Sequence, residues 1–224
     1  MFYWLTILSD GGDFFNLFRY ITFRAGGAFI TSLIFGFVFG KPLINLLRRK
    51  QGRGQPIRTD GPESHFSKAG TPTMGGAMIL GALLVSTVLW ARLDNMFVWV
   101  VLFVTVSFGI IGFADDYAKV SKQNSTGVSS KVRLGLGFII ALIASIAASQ
   151  LHPGGLSLQV AIPIMKDTLI PFGILFFPFA MLVIVGTANA VNLTDGLDGL
   201  AIMPVMIAAA ALGVLAYAVG RVDF

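Results

Sequence analysis

The sequence predicts an all-α integral membrane bundle with about six transmembrane helices, and three observations carry that expectation. Of 224 residues, 55% are apolar and only 12% are charged, about half the charged share of a typical soluble domain. The apolar residues gather into six stretches of the roughly 20 residues needed to cross a hydrocarbon core about 30 Å thick. Glycine (26) and phenylalanine (20) are abundant, which suits helices packed closely in lipid better than a water-soluble core. The hydrophobicity excludes a disordered chain. With no cysteine there are no disulfides, thiolate metal sites or cysteine nucleophiles. His65 and His152 are the only imidazoles, too few for a multi-histidine metal centre within these residues.

Taken in order, residues 1–20 carry Asp10-Gly-Gly-Asp13 where a signal peptide would place its apolar stretch, with no basic residue ahead of it. Their Phe and Trp content predicts an amphipathic, interfacial lead-in. Spans follow at about Ile21–Leu47, Thr73–Trp90, Met96–Ala114, Leu134–Leu151, Phe172–Ala190 and Leu200–Val219. The first has Arg24 near its start and Lys41-Pro42 near its end. Between the fourth and fifth, two short β-prone runs flank Met165-Lys166-Asp167 and predict a small hairpin on the outer surface. Pro163 works against it, because proline cannot donate to a ladder. No repeat, low-complexity tract or linker divides the chain, so residues 1–224 read as one membrane domain.

The connections alternate in charge. Ten basic residues (Arg48, Arg49, Lys50, Arg53, Arg58, Lys68, Lys119, Lys122, Lys131, Arg133) lie between spans one and two or three and four. The opposite side has four, namely Arg19, Arg92, Lys166 and Arg221. The positive-inside rule then puts the N-terminus outside and residues 48–72, 115–133 and 191–199 in the cytoplasm. Six of the eleven acidic residues (Asp60, Glu63, Asp115, Asp116, Asp195, Asp198) fall on that same face. Carboxylates among lysines and arginines suit a metal–diphosphate substrate, the former holding the cation and the latter neutralising phosphate oxygens. The plainer alternative is solvated loop charge.

Three clusters stand out. Asp115-Asp116 ends the apolar run Phe108–Ala114 with no polar residue between. Adjacent anions where a helix leaves the bilayer repel and lose hydration unless a cation or proton intervenes. Either the pair serves chemistry or it meets Lys119 or Lys122. Neighbours on an ideal helix point about 100° apart, so a shared metal would need an irregular helix end. The second cluster, Asn189-Ala-Val-Asn192-Leu-Thr-Asp195-Gly-Leu-Asp198-Gly, spaces Asn and Asp three residues apart, on one face of a helical turn. Capping of the sixth helix would explain one of its aspartates. The third, Lys68-Ala-Gly-Thr-Pro-Thr73 at the mouth of a helix, offers an ammonium, hydroxyls and N–H donors to an anion. It is not a Walker motif. His65 reads as a loop hydrogen-bonder, and His152 receives no role.

These strings, Lys68-Ala-Gly-Thr-Pro-Thr-Met-Gly-Gly76, Phe113-Ala-Asp-Asp-Tyr-Ala-Lys119 and Asn192-Leu-Thr-Asp-Gly-Leu-Asp-Gly199, resemble the signatures of the phospho-N-acetylmuramoyl-pentapeptide-transferase family. That family is a branch of the polyprenyl-phosphate N-acetylhexosamine-1-phosphate transferases. The resemblance implies a bacterial inner-membrane enzyme of peptidoglycan synthesis, N-terminus outside and active site cytoplasmic. Its substrates would be UDP-MurNAc-pentapeptide and undecaprenyl phosphate, its products lipid I and UMP, its cofactor Mg²⁺ and its assembly a homodimer in the lipid bilayer, with no nucleic-acid partner.

Residue by residue, the resemblance makes Asp115 and Asp116 the catalytic pair, with Asp115 the first choice for orienting or deprotonating the lipid phosphate. It makes Lys68, Thr73, Lys119, Lys131, Asn192, Asp195 and Asp198 substrate-binding, and Asp115, Asp116 and Asp195 metal ligands. Family members have about ten spans, with a later Phe-Met-Gly-Asp segment and a His-His-His-Phe-Glu loop. These 224 residues therefore read as an N-terminal part, incomplete for catalysis alone. The rival readings are a sister GlcNAc-1-phosphate transferase, an inactive fragment acting as a scaffold, and a transporter whose aspartates bind a coupling cation.

Overall fold

A computed structural model describes residues 1–52, 71–123, 127–152, 157–162, 168–195 and 199–220. Its helices are α1 (Ile21–Gln51), α2 (Gly76–Trp90), α3 (Met96–Lys122), α4 (Ser130–Leu151), α5 (Phe176–Thr194) and α6 (Ile202–Gly220). Among the described residues, four segments are long and apolar enough to cross a membrane: Ile21–Gln51, Met96–Lys122, Ser130–Leu151 and Gly173–Thr194. The protein is thus an all-α, multi-pass membrane protein. The other two expected spans are shorter apolar helices. At 15 residues, α2 rises about 22 Å, less than the hydrocarbon core it was expected to cross.

The helix ends differ from the expected spans for a common reason. Hydropathy marks where lipid stops, whereas backbone hydrogen bonding marks where a helix stops. The third span was expected to close at Ala114, yet α3 continues through Asp115, Asp116 and Lys119 to Lys122. Carboxylate–lysine spacings of three and four residues support that extension, and Gln123 ends it in the left-handed conformation. The Asn95 side chain caps the start of α3 by accepting from the Phe97 N–H, and Ser129 caps α4 by accepting from Val132. Both relieve orphan donors of a first turn. At its far end α1 stops at Gly52, where φ is +58°.

The chain divides into two compact units, Met1–Pro153 and Gly154–Phe224. In the first, α1 packs on α2, α2 on α3, and α3 on α4. Small residues set these distances. The buried face of α4 is Gly137, Ala141, Ala144 and Ser145, a stripe that allows close helix approach. On α1, Gly27 lies flat against the Trp90 ring, where a Cβ would collide. The Trp90 indole N–H donates to Thr31 Oγ1 at 2.9 Å, and the Thr31 hydroxyl donates to the Gly27 carbonyl at 2.7 Å.

The lead-in forms two 3₁₀ segments, Phe2–Leu8 and Phe14–Arg19. Phe2, Phe18 and Phe23 surround Trp90 with ring centroids 4.8, 6.0 and 5.9 Å from it, an aromatic cluster that anchors the segment by apolar burial and edge contacts. Nearby, the Arg24 and Arg92 guanidinium groups lie 5.0 and 4.8 Å from the Tyr3 ring centre. Arg92 also pairs with Asp94 at 2.6 Å, and this hydrogen bond holds the Asp94 carboxyl below the usual carboxylate range.

In the second unit, β1 (Gln159–Ala161) and β2 (Leu169–Pro171) pair antiparallel, with Val160 opposite Ile170. The hairpin expected there is present, with Pro171 at a strand end where its missing donor costs little. Pro163 and Met165–Asp167 lie outside the described residues.

Candidate functional site

Four stretches of the first unit meet around the paired aspartates: the end of α1, the residues before α2, the last turns of α3 and the start of α4. Because α3 stays regular here, Asp115 and Asp116 diverge, and the repulsion expected between them is resolved by separate partners. Asp115 is 5% exposed. Its Oδ1 accepts the Val128 backbone N–H at 2.8 Å. Its Oδ2 receives Lys119 Nζ at 2.6 Å and lies 3.6 Å from an Arg133 guanidinium nitrogen. Both oxygens are therefore committed, and the buried charge is compensated as burial requires.

Gly127 makes this possible. Its φ is +57°, and a Cβ there would strike the Asp115 carboxylate and come within 2.9 Å of Lys119 Cε. A positive φ favours glycine on conformational grounds, and the carboxylate excludes a side chain on steric ones.

Asp116 turns the other way. Its Oδ2 accepts the Thr73 hydroxyl at 2.7 Å, while Oδ1 lies 4.0 Å from Lys119 Nζ and the side chain remains 30% exposed. Thr73 is itself clamped: Gln51 Nε2 donates to its carbonyl at 3.0 Å, and its N–H donates to Gln51 Oε1 at 2.9 Å. The next residue, Met74, has φ +70°, uncommon for a side-chain-bearing residue and sustained only where the surroundings fix it. Met74 is buried.

The expected residues separate accordingly. Asp115, Asp116, Thr73 and Lys119 come together, while Lys131 is exposed on α4 and Arg133 occupies the position beside Asp115. Residues two apart on a helix face different ways, so only one of them can reach the carboxylate. Lys68 and Asp198 lie outside the described residues, as do Asp60, Glu63, His65 and Gly196. In the second unit, Asn192 is exposed on the last turn of α5 and Asp195 is its C-cap. Neither caps α6, which begins at Ile202. A carboxylate at a helix C-terminus opposes the dipole, an effect that solvent screens at the exposed Asp195.

Sequence reasoning missed Gln51, Gly127 and the role of Arg133. Gln51 gave no motif signal; Gly127 was legible only as a turn residue.

As a test of metal fit, the described residues contain no group of three or more His, Cys, Asp or Glu side chains able to hold an ion. Asp115 has no oxygen to spare, whereas Asp116 keeps an open coordination face. A single open carboxylate is at the low end of what Mg²⁺ takes from a protein, one or two carboxylates with the other ligands from water or phosphate. The Lys119 ammonium 4.0 Å away opposes a cation there unless phosphate lies between them.

Comparison with known proteins identifies the family of the chain. Signature 1 of phospho-N-acetylmuramoyl-pentapeptide-transferase matches residues 68–80, the stretch that contains Thr73. Proteins of that name from Ruegeria pomeroyi and Ruegeria sp. (strain TM1040) are 75% and 74% identical over 224 residues, all of this chain and 62% of each relative. The one from Maricaulis maris is 57% identical over 97% of the chain and 61% of its own length. The chain thus spans about 62% of the length of the Ruegeria relatives. The family model for glycosyl transferase family 4 matches residues 98–224, from α3 onward, and the chain belongs to that family.

Proposed function

We propose that this chain is the N-terminal part, a single membrane domain, of a phosphosugar transferase. It carries phospho-N-acetylmuramoyl-pentapeptide from UDP-MurNAc-pentapeptide to undecaprenyl phosphate, giving lipid I and UMP. The observation that carries the reading is Asp116, an open carboxylate held by a hydroxyl from the signature stretch and flanked by Lys119. An oxygen of the lipid phosphate attacks the sugar-bearing phosphorus, the bond from that phosphorus to the bridging oxygen breaks, and UMP leaves with that oxygen.

Phosphoryl transfer of this kind asks the protein chiefly for position and charge. Asp116 orients the lipid phosphate and takes its proton when it arrives protonated. Asp115 holds Lys119 and Arg133 in place, and these cations with Lys131 offset the phosphate charge. Lys68, Asn192, Asp195 and Asp198 serve the nucleotide and diphosphate. Asp116 would hold magnesium, with Asp195 the further candidate ligand that the resemblance names, and the ion would supply charge neutralisation for the diphosphate and its leaving group. The enzyme lies in the bacterial inner membrane as a homodimer, N-terminus outside. The ten-to-four distribution of basic residues supports a cytoplasmic site.

The test is UMP release from UDP-MurNAc-pentapeptide by purified protein with undecaprenyl phosphate and Mg²⁺. It is run on these 224 residues and on a chain of its relatives' length. Release by the longer chain, lost with Asp116→Asn, is the expected result. No release from a folded longer chain overturns this substrate, and preference for UDP-GlcNAc would transfer the reading to the sister enzymes.

A further inference from the structure

We infer that Gln51 is a positioning residue for the transfer reaction, acting on Asp116 through Thr73. The inference rests on the transferase reading above. Gln51 is only 9% exposed although it ends a helix, and its amide makes both hydrogen bonds that a side-chain amide can exchange with one residue's backbone. Those bonds fix Thr73 across 22 residues of chain. The Thr73 hydroxyl then reaches the Asp116 oxygen, leaving the other oxygen toward Lys119 and solvent. Among the described residues these two are the hydrogen bonds that hold the Thr73 backbone, and the positive φ of Met74 means that the turn would relax if the clamp were released. A buried amide whose donor and acceptor both serve one neighbour is not interchangeable with an apolar residue, because each lost partner leaves an unsatisfied group.

The consequence is kinetic. Displacing a catalytic group by about 1 Å can cost up to about a hundredfold in rate. Gln51→Leu in the chain of relatives' length is expected to lower kcat for UMP release about tenfold, with KM for the UDP-sugar changed by less than about twofold. Thr73→Val should do the same, and the double variant should be no worse than the poorer single one, because both cut one chain of contacts. Thr73→Ser, which restores the hydroxyl, should recover most of kcat. Gln51→Glu, which keeps the acceptor for the Thr73 N–H and loses the donor, should fall between Gln51→Leu and the unchanged protein and serves if the leucine variant does not fold.

Wild-type release with multiplicative losses in the double variant overturns the inference alone. So does a raised KM at unchanged kcat, which would place Thr73 on the nucleotide instead. Absence of release from the unchanged protein overturns the transferase reading, and this inference falls with it.

Discussion

Replacing Gly127 by alanine should unfasten the α3–α4 turn, and its cost can be worked from two separate contributions. Alanine at φ +57° costs about 1–2 kcal/mol in backbone strain. The added Cβ also collides with the Asp115 carboxylate, so Asp115 must give up the Val128 N–H. A hydrogen bond to a charged group contributes about 1.5–3 kcal/mol. Together these give about 2.5–5 kcal/mol, so opening of the turn should become at least about 60-fold more frequent at roughly 1.4 kcal/mol per decade.

Hydrogen–deuterium exchange of a peptide covering residues 127–133, in nanodiscs, reads this directly and needs no enzymatic activity. The Val128 amide should lose its protection by about two orders of magnitude. Gly127→Asn separates the contributions, since asparagine tolerates positive φ better yet carries the same Cβ. It should recover no more than the strain part. Unchanged exchange in Gly127→Ala would refute the reasoning, for it would mean that neither the strain nor the collision operates.

The paired aspartates should respond differently to amidation. Asp115→Asn leaves Lys119 and Arg133 facing a neutral group and should cost about 2 kcal/mol of stability after allowance for solvent at the two cations, seen as a lower thermal midpoint in detergent. Asp116→Asn should leave that midpoint within about 2 °C while abolishing UMP release from the longer chain. Gly27→Val should drive Trp90 out of its place, with a red-shifted indole emission. At the Arg92–Asp94 pair, a carboxyl held below its ordinary range by the arginine hydrogen bond adds stability above the unfolded carboxylate pKa and loses it as pH falls through the folded one. Arg92→Met should therefore flatten the acid side of the stability profile slightly, the pair being exposed.

How far these features are legible in the sequence depends on what kind of physics sets them. Membrane character and helix identity follow from transfer free energies summed over many residues, and the β-prone runs at 159–161 and 169–171 pair as their composition suggests. The termination of α3 does not follow that way. Hydropathy falls at Asp115, but the helix is carried on by Asp–Lys pairs that a hydropathy reading treats only as polar. The prominence of Asp115-Asp116 is readable from the juxtaposition of charge and lipid. Which of the two is open is not, because it depends on Val128 and Thr73, 13 and 43 residues away. Gln51 is the extreme case. An amide in a run of basic residues looks like any solvated side chain until the clamp it forms with Thr73 is seen.

The aromatic cluster around Trp90 has a bearing on how the molecule is made. Phe2 and Phe18 find their partner 72 or more positions later in the chain, at the far end of α2. At ~5–20 residues per second, roughly 4–15 s of synthesis separate Phe18 from Trp90. During that interval the N-terminal segment has no Trp90 to dock on and must wait, its phenylalanines facing lipid or the insertion machinery. Its two 3₁₀ turns thus settle only after α2 has been made, although the ribosome makes them first.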